Sequence, residues 1–213
     1  MTGTEMTTQL GQRMEDISAV EFTSTIKLEA INNAMLKVCM LLDREKLRPL
    51  AVSQTAVSAT SGALATKDLT SAILLKEGDD IHSGIYSLSF AAGIFCHFLS
   101  PLEVAGSNQN AFKAASARNP RWYVKGIDTL LPVAQILPAT TVSVDVMYLK
   151  RPTDMAANAT ECLLDEDQHE IILDFAESAL WLTANQSGRS NAAYERATQS
   201  IGVLNGIPEP VRE

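Results

Sequence analysis

Apolar residues recur at one spacing near both ends of this chain and at another in its middle, and that switch limits the folds open to it. In "STIKLEAINNAMLKVCMLLDREKL", which starts at Ser24, the residues Leu28, Ile31, Met35, Val38 and Leu42 follow at steps of three and four. That period lines one face of a helix. In "TTVSVDVMYL", by contrast, Val142, Val144, Val146 and Tyr148 alternate with Ser143, Asp145 and Met147, the period of a strand with one buried face. The helical step then returns. "DEDQHEIILDFAESALWLTANQ" sets Ile172, Phe175, Ala179 and Leu182 on one side, behind an acidic first turn that suits the helix dipole. Gly188 breaks that helix, and Ser190 is placed to cap a last one with Ala193, Ala197, Ile201 and Leu204 inward and Gly206 as its stop.

The remaining segments fill in around these. A shorter first helix carries Leu10, Met14 and Ile17 on one side, Ser24 is placed to cap the second, and Pro49 to stop it. Residues 51–68, "AVSQTAVSATSGALATKD", show no clear period and read as an exposed loop or extended segment. From Ser71 to Met147 the texture is of strands and turns. "SAILLKE" and "GIYSLSF" flank the turn "GDDIHS", and "RWYVKG", "TLLPVAQIL" and "TTVSVDVMYL" are further strands. The expected fold is α+β and mainly α. A bundle of the N- and C-terminal helices carries an inserted small antiparallel β region and an extended C-terminal tail. The boundaries fall at 1–50, 51–150, 151–205 and 206–213. Pro152 ends the last strand and restricts Arg151 to extended geometry, so Lys150, Arg151 and Pro152 are expected to form a hinge or an inter-subunit contact.

Charge and cysteine content exclude several functions. The net charge is −8, and the 17 basic residues are scattered. A protein that grips nucleic acid by neutralising phosphates needs its Lys and Arg clustered; an acidic surface surrounds DNA without sticking to it. Cys39, Cys96 and Cys162 are odd in number and far apart, which fits free thiols in a reducing compartment. The polar opening "MTGTEMTTQLGQRMED" is no signal peptide, and the apolar run at 85–99 is too short to span a bilayer. A soluble protein made in the cytosol is expected.

Catalytic and metal motifs are sparse. The sequence holds no Gly-x-Ser-x-Gly elbow, no Gly-rich loop ending in Gly-Lys-Ser/Thr and no Gly-x-Gly-x-x-Gly. Cys96 and His97 are adjacent, so on a strand they point to opposite faces. Glu166 and His169 supply only half of a di-iron ligand set, and His82 reads as a turn residue. No cofactor and no metal are expected. The carboxylate pairs at Asp79–Asp80 and Asp165–Asp167 have the residue types for acid–base work on a sugar, which keeps a virion-associated cell-wall hydrolase as an alternative.

Three segments together resemble the head-to-tail adaptor proteins of tailed bacteriophages. The opening, "TTQLGQRMEDISAVEFTSTIKLEAINNAMLKVCMLL", is similar to the family's short helix with Arg-x-x-Asp followed by a helix with Ile-Asn-x-Ala-Met. The middle, "NPRWYVKGIDTLLPVAQILPATTVSVDVMYLKRPTDM", resembles its Pro-x-x-Tyr, its strand ending in Leu-Pro and its final Tyr-x-x-Arg-Pro. The end, "QHEIILDFAESALWLTANQSGRSNAAYERATQSI", is similar to its last amphipathic helix pair. The resemblance implies a structural virion protein of the neck rather than an enzyme. It would form a ring, usually of twelve copies, under the portal and meet the portal protein, the tail or nozzle proteins and neighbouring copies of itself. DNA would pass through without specific binding. The resemblance also implies a docking role for the C-terminal segment Asn205, Gly206, Ile207, Pro208, Glu209, Pro210, Val211 and Arg212. Another neck or tail completion protein is the nearest alternative.

Overall fold

In the computed structural model, which describes residues 1–16, 21–65, 69, 71, 73–74, 84–90, 93–100, 103–104, 114–128, 131–156 and 161–206, the chain divides into two units. A helical unit combines Met1–Leu50 with Pro152–Glu213, and a β unit spans Ala51–Arg151. Of the 25 acidic residues 18 lie in the helical unit, against nine of the 17 basic ones, so that unit carries −9 and the β unit +1.

The helical unit contains α1 (Gly3–Arg13), α2 (Ser24–Leu41), a 3-10 turn (Arg44–Leu50), α3 (Glu166–Thr183) and α4 (Ser187–Leu204). A reciprocal cap fixes the start of α1: the Thr2 hydroxyl accepts from the Glu5 N–H, and the Glu5 carboxylate accepts from the Thr2 N–H at 2.8 Å. Met6, Leu10 and Met14 are buried, and Ile17 lies outside the described residues. The cap of α2 is Thr23 rather than Ser24, because the Thr23 hydroxyl is the one that accepts from the Ile26 N–H. The helix stops at the extended Leu42, and Pro49 lies inside the 3-10 turn that follows.

α3 is the central helix and is buried on almost every side, including Ile171, Ile172, Leu173, Phe175, Ala176, Leu180 and Trp181. The single stripe expected from sequence is therefore wrong for it: Ala179 is exposed and Leu182 is 64% exposed. Ser190 does not cap α4. It sits within that helix, fully covered, and its hydroxyl donates to the Ser178 carbonyl of α3 at 2.9 Å. With Ala193 and Ala197 also buried, the small side chains let α4 approach α3 closely, as packing of helix on helix requires.

The β unit contains β1 (Ala51–Ala59), β2 (Ala63–Ala65), β3 (Ile85–Phe90), β4 (Phe95–Phe98), β5 (Arg121–Asp128), β6 (Leu131–Leu137) and β7 (Val142–Leu149), in the order β1-β7-β3-β4-β5-β6-β2. All neighbours pair antiparallel except β4 and β5, which run parallel. The outermost strands of that order, β1 and β2, are consecutive in the chain and meet through the Thr60–Ala63 bridge, so the sheet curls toward a closed barrel. Its core gathers Leu64, Ile85, Leu88, Trp122, Ile136, Val144, Val146 and Tyr148.

This corrects the expected fold class. The β region is neither small nor wholly antiparallel, and the chain is not mainly α. β2, β4 and above all β1 were not expected as strands; the longest of them is β1, which lies in the stretch expected as an exposed loop or extended segment. Its register slips between Gln54 and Val57 in a bulge, with Ala56 at φ +56° and its N–H donating to the Asp145 carboxylate at 3.0 Å. Val57 and Ala59 are buried beyond the slip. A bulge inserts one residue and shifts the side-chain alternation, so the strand loses its period of two when read as sequence.

Candidate functional site

The densest set of interacting charges among the described residues belongs to the helical unit. α3 carries Asp167, Glu170, Asp174 and Glu177 at steps of three and four, a spacing that stacks side chains along one helix face. Two arginines from other helices meet this row. Arg13, in the last turn of α1, donates to Asp174 Oδ1 at 2.9 Å and also to the Glu170 carboxylate. Arg196, on α4, donates through Nη2 to Glu177 Oε2 at 2.9 Å and to Asp174 Oδ1 at 3.2 Å. Asp174 thus bridges two guanidinium groups. Burial works against the Arg196 charge, but the Asp174 and Glu177 carboxylates outweigh it and raise its pKa.

Aromatic contacts extend the set. The Trp181 indole N–H donates to Glu177 Oε1 at 3.2 Å, and the Arg189 guanidinium lies 4.6 Å from the Trp181 ring centre. On α2, the Lys37 ammonium stands 4.5 Å from the Phe175 ring and 4.4 Å from that of Tyr194, which meet edge to face. Four helices are fastened together by these contacts.

Beside the charged row a groove of about 450 Å³ runs between α3 and α4, with Ile171, Val203 and Leu204 as its apolar part and Asp167, Glu170 and Asp174 on its acidic side. Three carboxylates line it against one guanidinium, that of Arg196, so the groove keeps a negative excess. It offers an apolar floor and hydrogen-bond acceptors, which suits docking of a surface with an apolar centre and a basic surround.

The residues singled out by sequence fall in several places. Asn205 closes helix ends: its side-chain oxygen accepts from the Asp43 N–H at 2.9 Å and its amide donates to the Leu41 carbonyl at 3.0 Å. Gly206 follows with φ +78°. Ile207, Pro208, Glu209, Pro210, Val211 and Arg212 lie outside the described residues, as do Asp79, Asp80 and His82. Lys150 bridges to Ile73, Arg151 is exposed, Pro152 is buried, and the two units divide between Arg151 and Pro152.

Glu166 is exposed, whereas the His169 ring is buried with Nε2 3.0 Å from the Leu164 carbonyl, and burial lowers its pKa. Cys96 is buried and His97 exposed on opposite faces of β4, and burial pushes the Cys96 thiol up to about 11. Cys39 and Cys162 are buried free thiols. Among the described residues no helix is long and apolar enough to cross a membrane.

The motif residues behind the family resemblance have internal duties. Arg13 joins α1 to α3. Asp16, three residues on, accepts from the Phe22 N–H at 2.9 Å and pairs with Lys27. Asn32 exchanges two hydrogen bonds with the Met155 backbone, at 2.9 and 3.2 Å. Sequence reading singled out neither Asp174 nor Arg196. The signal was present in the row of acids at 167, 170, 174 and 177 on a helix otherwise apolar all round. No family model matches the chain, and no curated protein matches it.

Proposed function

We propose that this chain is a structural protein of the neck of a tailed bacteriophage, a head-to-tail adaptor that assembles as a ring under the portal. The observation that carries the reading is how the helical unit is put together. The N-terminal segment with Arg-x-x-Asp and Ile-Asn-x-Ala-Met and the C-terminal helix pair resemble the adaptor family at opposite ends of the chain. Arg13 on Asp174 ties the first to the second, and Asn32 on Met155 ties the first to the end of the middle segment. The motif letters are thus accounted for as the fasteners of a scaffold, with the β unit inserted between.

Charge supports the same role. With −9 on the helical unit, a ring whose lumen is lined by that unit would repel the DNA backbone and let it slide, because few phosphate contacts form. Asn205 and Gly206 end α4, and the segment after them supplies the portal-docking tail. The partners are the portal protein, the next tail component and neighbouring copies.

The test is to mix purified protein with portal rings and image the product by electron microscopy, using full-length chain and a chain ending at 205. A ring added at one end of the portal by the full-length chain and not by the shortened one is the expected result. Portal rings left bare by the full-length chain would overturn the adaptor reading.

A further inference from the structure

Phe95 is the most exposed large hydrophobic residue among the described residues, at 66%. It lies on β4 opposite Ser89 of β3, a side chain too small to cover it. On its β5 side the surroundings are basic, whereas Asp145 lies on the same face beyond Ser89. His97 is the next outward residue of β4 and faces Arg121 across the parallel pair with β5; Arg118, in the turn before β5, and Lys125, further along β5, are exposed. The Arg121 Nε is buried and has no hydrogen-bond partner among the described residues, so the terminal nitrogens are the part of its guanidinium available to a partner. An exposed aromatic ring with cations along one side has the make-up of an interface centre with part of its rim.

The groove between α3 and α4 has the complementary make-up: an apolar floor of Ile171, Val203 and Leu204 and a carboxylate side of Asp167 and Glu170, with a volume of about 450 Å³ that exceeds a phenyl side chain. Val203 is 51% exposed in the isolated chain.

We infer that the β4–β5 face of one copy docks on the α3–α4 groove of the next, with Phe95 seated over Val203 and with Arg121 and Lys125 facing Asp167 and Glu170. The two surfaces differ, so the contact is head-to-tail, the kind that builds a ring when its rotation closes. The inference takes its setting from the adaptor reading, but the two surfaces are chosen on their own chemistry.

A disulfide trap tests it, since the three native cysteines are buried. Full-length chain carrying both Phe95→Cys and Val203→Cys is assembled on portal rings and oxidised under mild conditions. The expected product is a ladder of covalent multimers beyond the dimer, with neither single variant giving one. A companion pair checks the charges in wild-type background. Lys125→Glu lowers ring occupancy on the portal at least tenfold, and adding Asp167→Lys restores it. Rings that form on the portal without a ladder, and without loss on Lys125→Glu, overturn the inference and leave the adaptor reading intact. If wild-type chain adds no ring, the adaptor reading falls, and the oxidation is repeated on concentrated protein alone: a ladder there supports the contact, and its absence overturns it. Capture of DNA by this face, lost on Arg121→Glu in place of any ladder, also overturns it.

Discussion

Lys27 Nζ lies 3.1 Å from Asp16 Oδ2, with only 4% and 6% of the two side chains exposed. The ammonium also donates to the Asp16 carbonyl at 2.7 Å, and the carboxylate accepts from the Glu21 and Phe22 N–H groups. A buried pair of this kind is tolerated only when its remaining hydrogen-bonding capacity is used, and here the Glu21 and Phe22 N–H groups use it.

Acid should therefore weaken the helical unit in a defined window. The Phe22 N–H does most to hold the Asp16 carboxyl at about 2, below its ordinary 3.8, against the cost of burial and with help from Glu21 and Lys27. A carboxyl lowered by folding adds stability that is complete above the unfolded value and is lost as pH falls through the folded one, here from roughly 4 down to 2. Asp16→Asn should lower the melting temperature at neutral pH and flatten the acid limb between those values. Circular dichroism melts across pH check it, and an unchanged acid limb would contradict it.

Asn205→Ala should cost about 1 kcal/mol, because two hydrogen bonds to Asp43 and Leu41 are lost at the end of α2. Denaturant unfolding measures the cost. If portal binding fell while stability held, Asn205 would belong to docking instead.

Gly62 closes the β1–β2 turn at φ +76°, a backbone region that side chains rarely adopt, and a Cβ there meets the Ile136 carbonyl. The Gly62 carbonyl also accepts from the Ile136 N–H at 2.7 Å. Gly62→Ala should destabilise the β unit by more than about 1 kcal/mol. In hydrogen exchange, amides of β1, β2 and β6 should lose protection while those of α3 keep theirs. Equal loss in α3 would mean that the turn has no special part in closing the sheet.

Trp122 is 1% exposed and packs edge to face with Phe98 at 4.9 Å. Trp122→Ala should cost ~3–5 kcal/mol, read as a lowered unfolding midpoint in urea. A loss below about 1 kcal/mol would show that the core collapses around the gap.

How far sequence reading reached follows from where periodicity survives folding. β7 was legible because it has no bulge within it: Val144, Val146 and Tyr148 turn in, while Ser143 and Met147 turn out. β1 was hidden by the slip at Ala56, and the size of the sheet was hidden with it. α2 was legible as a helix facing the core on one side, but α3, covered all round, has no single stripe for a 3.6-residue period to reveal. The site was harder still. Arg13 and Asp174 are 161 residues apart and Arg196 and Asp174 are 22 apart, and no local pattern joins them. Only the acidic row along α3, of which sequence reading took no more than the acidic first turn, lies within one stretch of sequence.

The most direct measurement is the mass of portal rings mixed with rising amounts of this protein, taken by single-particle mass photometry. The adaptor account predicts a mass gain that saturates at a fixed multiple of the 23.0 kDa chain and disappears when the chain ends at residue 205. A portal mass that stays unchanged at every concentration would contradict it.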